Sequence, residues 1–266
     1  MTSEKTPQKL VDGALRRALA QGTVIADGAM GTMLQDQKPT LQDFEGHEGC
    51  NEILNVTRPD IVSSVHDAYF EAGVDCVETN TFGANWSNLS DYGIEDRIEE
   101  LAYAGAKVAR QVADDFNTDE KPRWVLGSMG PGTKLPSLGH EKFSVLRDAY
   151  QLSARGLIRG GADAILVETA QDLLQAKAAV IGSKRAMAEL ETYVPILVSV
   201  TIETTGTMLL GSEIGAALTA LSALGIDAIG LNCATGPMEM SEHLRYLSKF
   251  SELPLVVMPN AGLPIL

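Results

Sequence analysis

Gly225-Ile-Asp-Ala-Ile-Gly-Leu-Asn-Cys-Ala-Thr-Gly-Pro-Met-Glu-Met240 is the stretch on which the reading of this chain turns. Its middle, Ala228 to Asn232, is a short run with no charge, bounded by Gly-Ile-Asp before it and a Gly-Pro turn after it. That composition predicts a buried strand. Apolar positions at helical spacing follow, from about Glu239 to Phe250, and predict an amphipathic helix. A strand apolar on both faces and followed by a helix belongs in a parallel sheet covered by helices. Cys233 then stands where the strand hands over to its loop, the rim on which α/β barrels build their chemistry. A free cysteine also packs readily as a small apolar residue, so plain packing stays open as the alternative.

Outward from this unit the same alternation recurs. Strands are expected at residues 23–26, 74–78, 124–128, 164–167, 196–201 and 255–258, besides 228–232. Helices are expected at residues 10–21, 58–72, 94–116, 146–159, 173–190 and 214–223, besides 239–250. Residues 27–32 read as a loop, and residues 36–52 as polar and turn-rich. Strands separated by helices imply a parallel sheet with right-handed crossovers. An open doubly wound sheet is the runner-up, but its Gly-x-Gly-x-x-Gly after the first strand is absent, and Gly28-Ala-Met-Gly31 is only superficially similar. The expected fold is therefore an α/β, (β/α)₈ TIM barrel, with the eighth strand and helix missing from the chain. Residues 1–9 are expected to be a polar N-terminal arm, and residues 10–266 the barrel domain.

A repeat supports the barrel. Gly73-Val-Asp75, Gly161-Ala-Asp163 and Gly225-Ile-Asp227 each fall at a helix-to-strand junction. The fifth residue after each Asp is Asn80, Glu168 and Asn232, and the next is Thr81, Thr169 and Cys233. Alternate strands share interior layers in such barrels, so one parity is expected to form a polar ring at the C-terminal rim. The three Asp residues are expected to form turns at the opposite end.

Composition bounds the rest. The 266 residues are 45% hydrophobic and 21% charged, with a formal net charge of −14. That supports a sizeable core, and it excludes the basic footprint of a nucleic-acid binder. An anionic membrane surface is excluded on the same ground. No apolar run approaches the ~20 residues that span a bilayer. Cys50, Cys76 and Cys233 show no paired spacing, which suits a reducing, cytoplasmic setting. The polar opening Met-Thr-Ser-Glu-Lys is not that of a signal peptide.

Two carboxylates, Asp27 and Glu168, stand at strand exits. They suit an acid/base pair or a grip on a substrate ammonium; the alternatives are an Asp27–Gly28 turn and a helix cap at Glu168. The loop of Gly28, Ala29 and the residues to Thr32 offers backbone N–H groups for a carboxylate, or is an ordinary turn. Gly127 to Lys134 departs from the phosphate-loop pattern, because a residue intervenes between Gly132 and Lys134. His66 and His243 lie on expected helices as packing or solvated residues. His47 and Cys50 match no zinc template.

Six segments carry a family resemblance: Asp27-Gly-Ala-Met-Gly-Thr-Met, Asn55-Val-Thr-Arg-Pro-Asp-Ile-Val, Glu78-Thr-Asn-Thr-Phe-Gly-Ala-Asn85, Val167-Glu-Thr, Gly230-Leu-Asn-Cys-Ala-Thr-Gly-Pro and Pro259-Asn-Ala-Gly-Leu-Pro264. In this order, over nearly the whole chain, they resemble the homocysteine S-methyltransferase family, and most closely its cobalamin-dependent branch. The resemblance implies a barrel whose rim holds zinc on three cysteine thiolates. Cys233 matches the first ligand; the adjacent Cys-Cys pair that supplies the others is absent from this sequence. It implies that Asp27 and Glu168 face the homocysteine amino group and that Gly28 and Ala29 meet its carboxylate; Asn232, from the repeat, is expected among the substrate-binding residues as well. Zinc would deprotonate the homocysteine thiol, which would accept a methyl group from methylcobalamin on another domain, giving methionine. Cobalamin-binding and folate-binding domains of one parent chain are the implied partners. The alternatives are a stand-alone methyltransferase using S-methylmethionine and a metal-free binding remnant.

Overall fold

The structure, a computed structural model, describes residues 14–261. In chain order the elements are α1 (Ala14–Gln21), α2 (Met30–Asp36), α3 (Leu54–Thr57), α4 (Pro59–Ala72), β1 (Cys76–Glu78), α5 (Trp86–Asp91), α6 (Ile98–Phe116) and β2 (Trp124–Met129). They continue as α7 (Phe143–Gly160), β3 (Ala164–Ala170), α8 (Leu173–Glu189), β4 (Ile196–Val200), α9 (Ile214–Ser222), β5 (Ala228–Asn232), α10 (Pro237–Phe250) and β6 (Leu255–Met258). The six strands are parallel and lie in sequence order in one sheet.

A period of two divides the side chains of that sheet. Val77, Val125, Ile165, Val167, Val198, Ile229 and Leu231 belong to the large cluster shared with the helices. Their neighbours along the strands, Cys76, Trp124, Leu126, Leu166, Leu197 and Ala228, form a separate inner cluster. Leu15 of α1, with Ala18 and Leu19, packs onto that inner cluster and closes one end of it. The sheet therefore curls around its own core as a partial barrel, with helices outside.

The helices approach closely where side chains vanish. A Cβ on Gly156 of α7 would lie 2.5 Å from the Glu99 carbonyl oxygen of α6, and one on Gly160 would lie 2.7 Å from that of Tyr103. Gly182 of α8 meets α7 in the same way, 2.6 Å from the Arg147 oxygen.

The repeated Asp residues do more than turn the chain. Asp75 Oδ2 accepts the Ile25 N–H at 2.9 Å, Asp163 Oδ2 the Val125 N–H at 2.8 Å, and Asp227 Oδ2 the Ile196 N–H at 2.8 Å. Each carboxylate at a strand entry thus staples the start of the preceding strand. The Gly two residues earlier takes positive φ in all three copies: 103° at Gly73, 102° at Gly161 and 65° at Gly225.

Some boundaries differ from expectation. Residues 23–26 are not a full strand; they make one parallel bridge, Ala26 to Cys76. The segment still lies beside β1, with Ile25 O accepting from the Asp75 and Cys76 N–H groups. Unlike β2 and β4, whose starts carry the same staple, it has no partner strand on its other edge among the described residues. The expected loop after Asp27 turns into α2 at Met30, and residues 51–57 of the expected turn-rich region coil into a 3₁₀ turn and α3. The helix expected from residue 10 is described from Ala14; residues 1–9, and with them the proposed arm, lie outside the described residues.

Candidate functional site

Residues of one parity along the strands face the concave side, where a cavity of about 1290 Å³ opens. Asp27, Gly28, Ala29, Glu168, Asn232 and Cys233, all singled out from the sequence, line this one cavity. Glu168 follows Leu166 by two residues on β3 and so shares its inward face. The capping role weighed for Glu168 belongs to Asp172, whose Oδ1 accepts the Leu174 N–H at 2.7 Å.

Glu168 is held from two strands. Ser128 Oγ of β2 donates to Glu168 Oε1 at 2.5 Å, and Asn232 Nδ2 of β5 lies 3.5 Å from Oε2. Burial pushes its pKa up to about 7, against the pull of the Ser128 hydrogen bond. Asp27 accepts the backbone N–H of Glu78 with both oxygens, each at 3.0 Å. Burial raises the Asp27 pKa, the Glu78 N–H opposes this, and the Glu168 charge adds to the rise. Glu78 is raised too, first by burial and then by Glu168 and Asp27. Three acidic groups thus crowd one wall. Among the described residues that line the cavity there is no Lys, Arg or His.

Cys233 follows β5 in a left-handed conformation, φ 59°, and Ala234 repeats it at 54°. Thr169, just after Glu168, is left-handed as well, φ 52°, inside an irregularity of β3. Asn232 ties these bends together. Its Oδ1 accepts the Thr169 N–H at 2.8 Å, and its Nδ2 donates to Thr169 Oγ1 at 2.7 Å and lies 3.3 Å from Cys233 Sγ. Left-handed non-glycine residues are strained, and strain of this kind gathers at functional sites.

The sequence count missed Glu78 and Ser128; Asn80, which it reached, lines the cavity from beyond the end of β1. Asn80 Nδ2 donates to Asn51 O at 2.8 Å and to Asn55 Oδ1 at 2.9 Å, so its side chain fastens the loop after β1. Stepping five residues from Asp75 overshoots, because β1 ends at Glu78 whereas β3 runs on to Ala170. Alternation from Cys76 would have found Glu78, and alternation from Leu126 would have found Ser128. Cys50 and Cys76 are buried; Cys50 Sγ lies 3.6 Å from Glu52 Oε2 and Cys76 Sγ 3.7 Å from Ile25 O. No group of three His, Cys, Asp or Glu side chains among the described residues is arranged to hold a metal ion.

Comparison with known proteins adds to this geometry. The sequence profile of the homocysteine S-methyltransferase family matches residues 24–266. The chain is 63% identical over 259 residues to methionine synthase of Mycobacterium leprae, covering 97% of this chain and 22% of that protein. It is 62% identical over 257 residues to methionine synthase of Mycobacterium tuberculosis, again 97% of this chain and 22% of the relative. The chain therefore spans about a fifth of the length of these relatives. In fold it is similar to the metallated form of the homocysteine methyltransferase MmuM from Escherichia coli, with a TM-score of 0.78 at 23% identity over 93% of this chain and 87% of that one. The apo form of MmuM gives a TM-score of 0.73 at 22% identity, over 93% and 86% of the two chains.

Proposed function

Because the chain belongs to the homocysteine S-methyltransferase family, we propose that it is the homocysteine-binding module of a methionine synthase. The observation that carries this reading is the meeting of Asp27, Glu168 and Cys233 in the wall of one cavity. In this reading Asp27 and Glu168 receive the ammonium of homocysteine, in a wall whose acidic groups have no basic partner among the described residues. Gly28 and Ala29 meet its carboxylate, and Asn232 braces the wall between Glu168 and Cys233. Its sulfur then lies toward Cys233. The thiol of homocysteine would release its proton to solvent, and its sulfur would take a methyl group as the bond from that group to its donor breaks, giving methionine. Methylcobalamin on another domain would supply that methyl group, with a folate-binding domain to recharge it. The relatives, of whose length this chain spans 22%, have ample room for both domains.

Zinc needs three or four well-placed ligands, and Cys233 is one sulfur. The described residues do not fit a complete zinc site. Cys233 is proposed as one ligand of a shell whose other members lie outside the described residues. The chemistry assigned to the described residues is thus confined to binding and orienting the amino acid.

Calorimetric titration with homocysteine tests the reading. Loss of one charge-assisted contact removes about 1.5–3 kcal/mol, so Asp27→Asn and Glu168→Gln should each weaken binding about 10- to 100-fold. Unchanged affinity in both variants would remove the assignment. A protein extended along its parent sequence, assayed with methylcobalamin and with S-methylmethionine, separates the proposed module from a stand-alone methyltransferase. Turnover with S-methylmethionine alone would decide against the module.

A further inference from the structure

Glu78 has a place in the cavity that its motif did not disclose. Val77 packs outward against the helices, so Cys76 and Glu78 on either side of it face the concave side. The backbone of Glu78 is fixed by the Asp27 carboxylate, both of whose oxygens take its N–H. Its side chain hydrogen-bonds with that of Glu168 and lines the cavity. Asp27 has part of its bonding capacity committed to this backbone clamp, whereas the Glu78 carboxyl pairs with its acidic neighbour Glu168.

Such a wall either keeps its protons or meets a cation, and the chemistry of that cation is restricted. No basic side chain among the described residues lines the cavity, and the acidic groups are not arranged to hold a metal ion. A ligand carrying N–H donors satisfies the wall differently: an ammonium offers three donors in three directions. Three carboxyls converging from Asp27, β1 and β3 match that number.

We infer that Glu78 is a third carboxyl facing the substrate ammonium, positioned by Asp27 and paired with Glu168, and that it makes the site select amino acids whose amino group is free. The inference rests on the homocysteine reading above and deepens it by naming what sets the substrate class. Asp27 then acts in two ways, by its own charge and by holding Glu78 in place.

The test compares homocysteine with 4-mercaptobutanoate, the same thiol acid without its amino group, by calorimetry on the wild-type chain and on two variants. Glu78→Gln is isosteric, keeps a hydrogen-bonding partner for Glu168 and can no longer give up a proton to meet an ammonium. It is expected to weaken homocysteine about 10- to 100-fold and to leave the affinity for 4-mercaptobutanoate unchanged. Glu78→Asp keeps the charge and is expected to keep a clear preference for homocysteine. Thermal melting confirms that both variants fold. A purely structural role would weaken both ligands alike, and that result, or unchanged homocysteine affinity in Glu78→Gln, overturns the inference. Loss of the preference in Glu78→Asp also counts against it. A wild-type chain that does not distinguish the two ligands sinks the homocysteine reading itself, before any variant is compared.

Discussion

His66 of α4 is wholly buried, and neither ring nitrogen has a hydrogen-bond partner within the described structure. Burial lowers its pKa to about 4 from an ordinary 6.5. A histidine whose folded pKa lies below its unfolded pKa stays neutral in the fold while the unfolded chain takes up a proton. Its contribution to stability is therefore complete above pH ~6.5 and is lost as the pH falls toward 4. The acidic wall has the opposite sign. Glu168, raised to about 7, favours the fold at low pH, and that contribution is lost as the pH rises through 7. The two effects separate by substitution. His66→Leu should flatten the acid side only: between pH 7.5 and 4.5 the wild type should lose about 2–3 kcal/mol more than the variant. Urea unfolding at the two pH values measures this, and equal losses would mean that the imidazole reaches water or a partner in solution.

At the scale of elements, the spacing between helices is set by glycine. Alanine normally favours a helix over glycine by about 1 kcal/mol. On α7 the preference is expected to reverse, because a methyl group on Gly156 would stand 2.5 Å from a carbonyl oxygen of α6. Overpacking of this kind costs about 1–3 kcal/mol. Gly156→Ala should therefore lower the denaturation midpoint, whereas Gly22→Ala, with nothing within 4 Å of the added carbon, should not. The Asp staples make a second test. Asp227 accepts the Ile196 N–H at 2.8 Å and the Tyr193 hydroxyl at 2.6 Å, and pairs with Arg16 at 2.9 Å. Asp227→Ala leaves that strand N–H without its partner, and a loss of about 1–3 kcal/mol in chemical denaturation is the expected result. These elements also show what a sequence makes legible. The strand Ala228–Asn232 and the last strand Leu255–Met258 fall where their apolar runs and flanking turns put them. The capped helix Pro59–Ala72 does too, since proline at its start and glycine after its end are local signals. The partners were not legible. That the Asp residues reach across to the preceding strand, and that Glu78 and not Asn80 joins Glu168, depend on how far each strand extends past its neighbour. Stagger of that kind is a property of the sheet and has no local signature.

For the whole molecule the decisive feature is the seam. The strands β2 and β4 are buried along their full length and paired on both sides. At the margins of the sheet pairing is poorer: among the described residues β6 has one partner strand, and residues 23–26 make a single bridge. Ile25 is 57% exposed and Val257 45% exposed, as expected of strand edges that face solvent. Local opening follows exposed backbone hydrogen bonds and sparse burial, so amide exchange in this chain should be fastest in β6 and residues 23–26 and slowest in β2 to β4. Both margins also border the cavity, through Ala26 and Asp27 on one side and Val256 and Met258 on the other. An amino acid bound against Asp27 and Glu168 should therefore slow exchange at both margins together, while β2 to β4, already protected, change little. Mass spectrometry of the exchanging chain with and without homocysteine reads both effects. Protection at β6 equal to that at β4 without ligand would show that the edge is covered in solution. If that protection grew with protein concentration, the cover would be a second copy of the chain. Protection by homocysteine that spares residues 23–26 would place the ligand away from Asp27 and break the link drawn between Asp27 and Glu168.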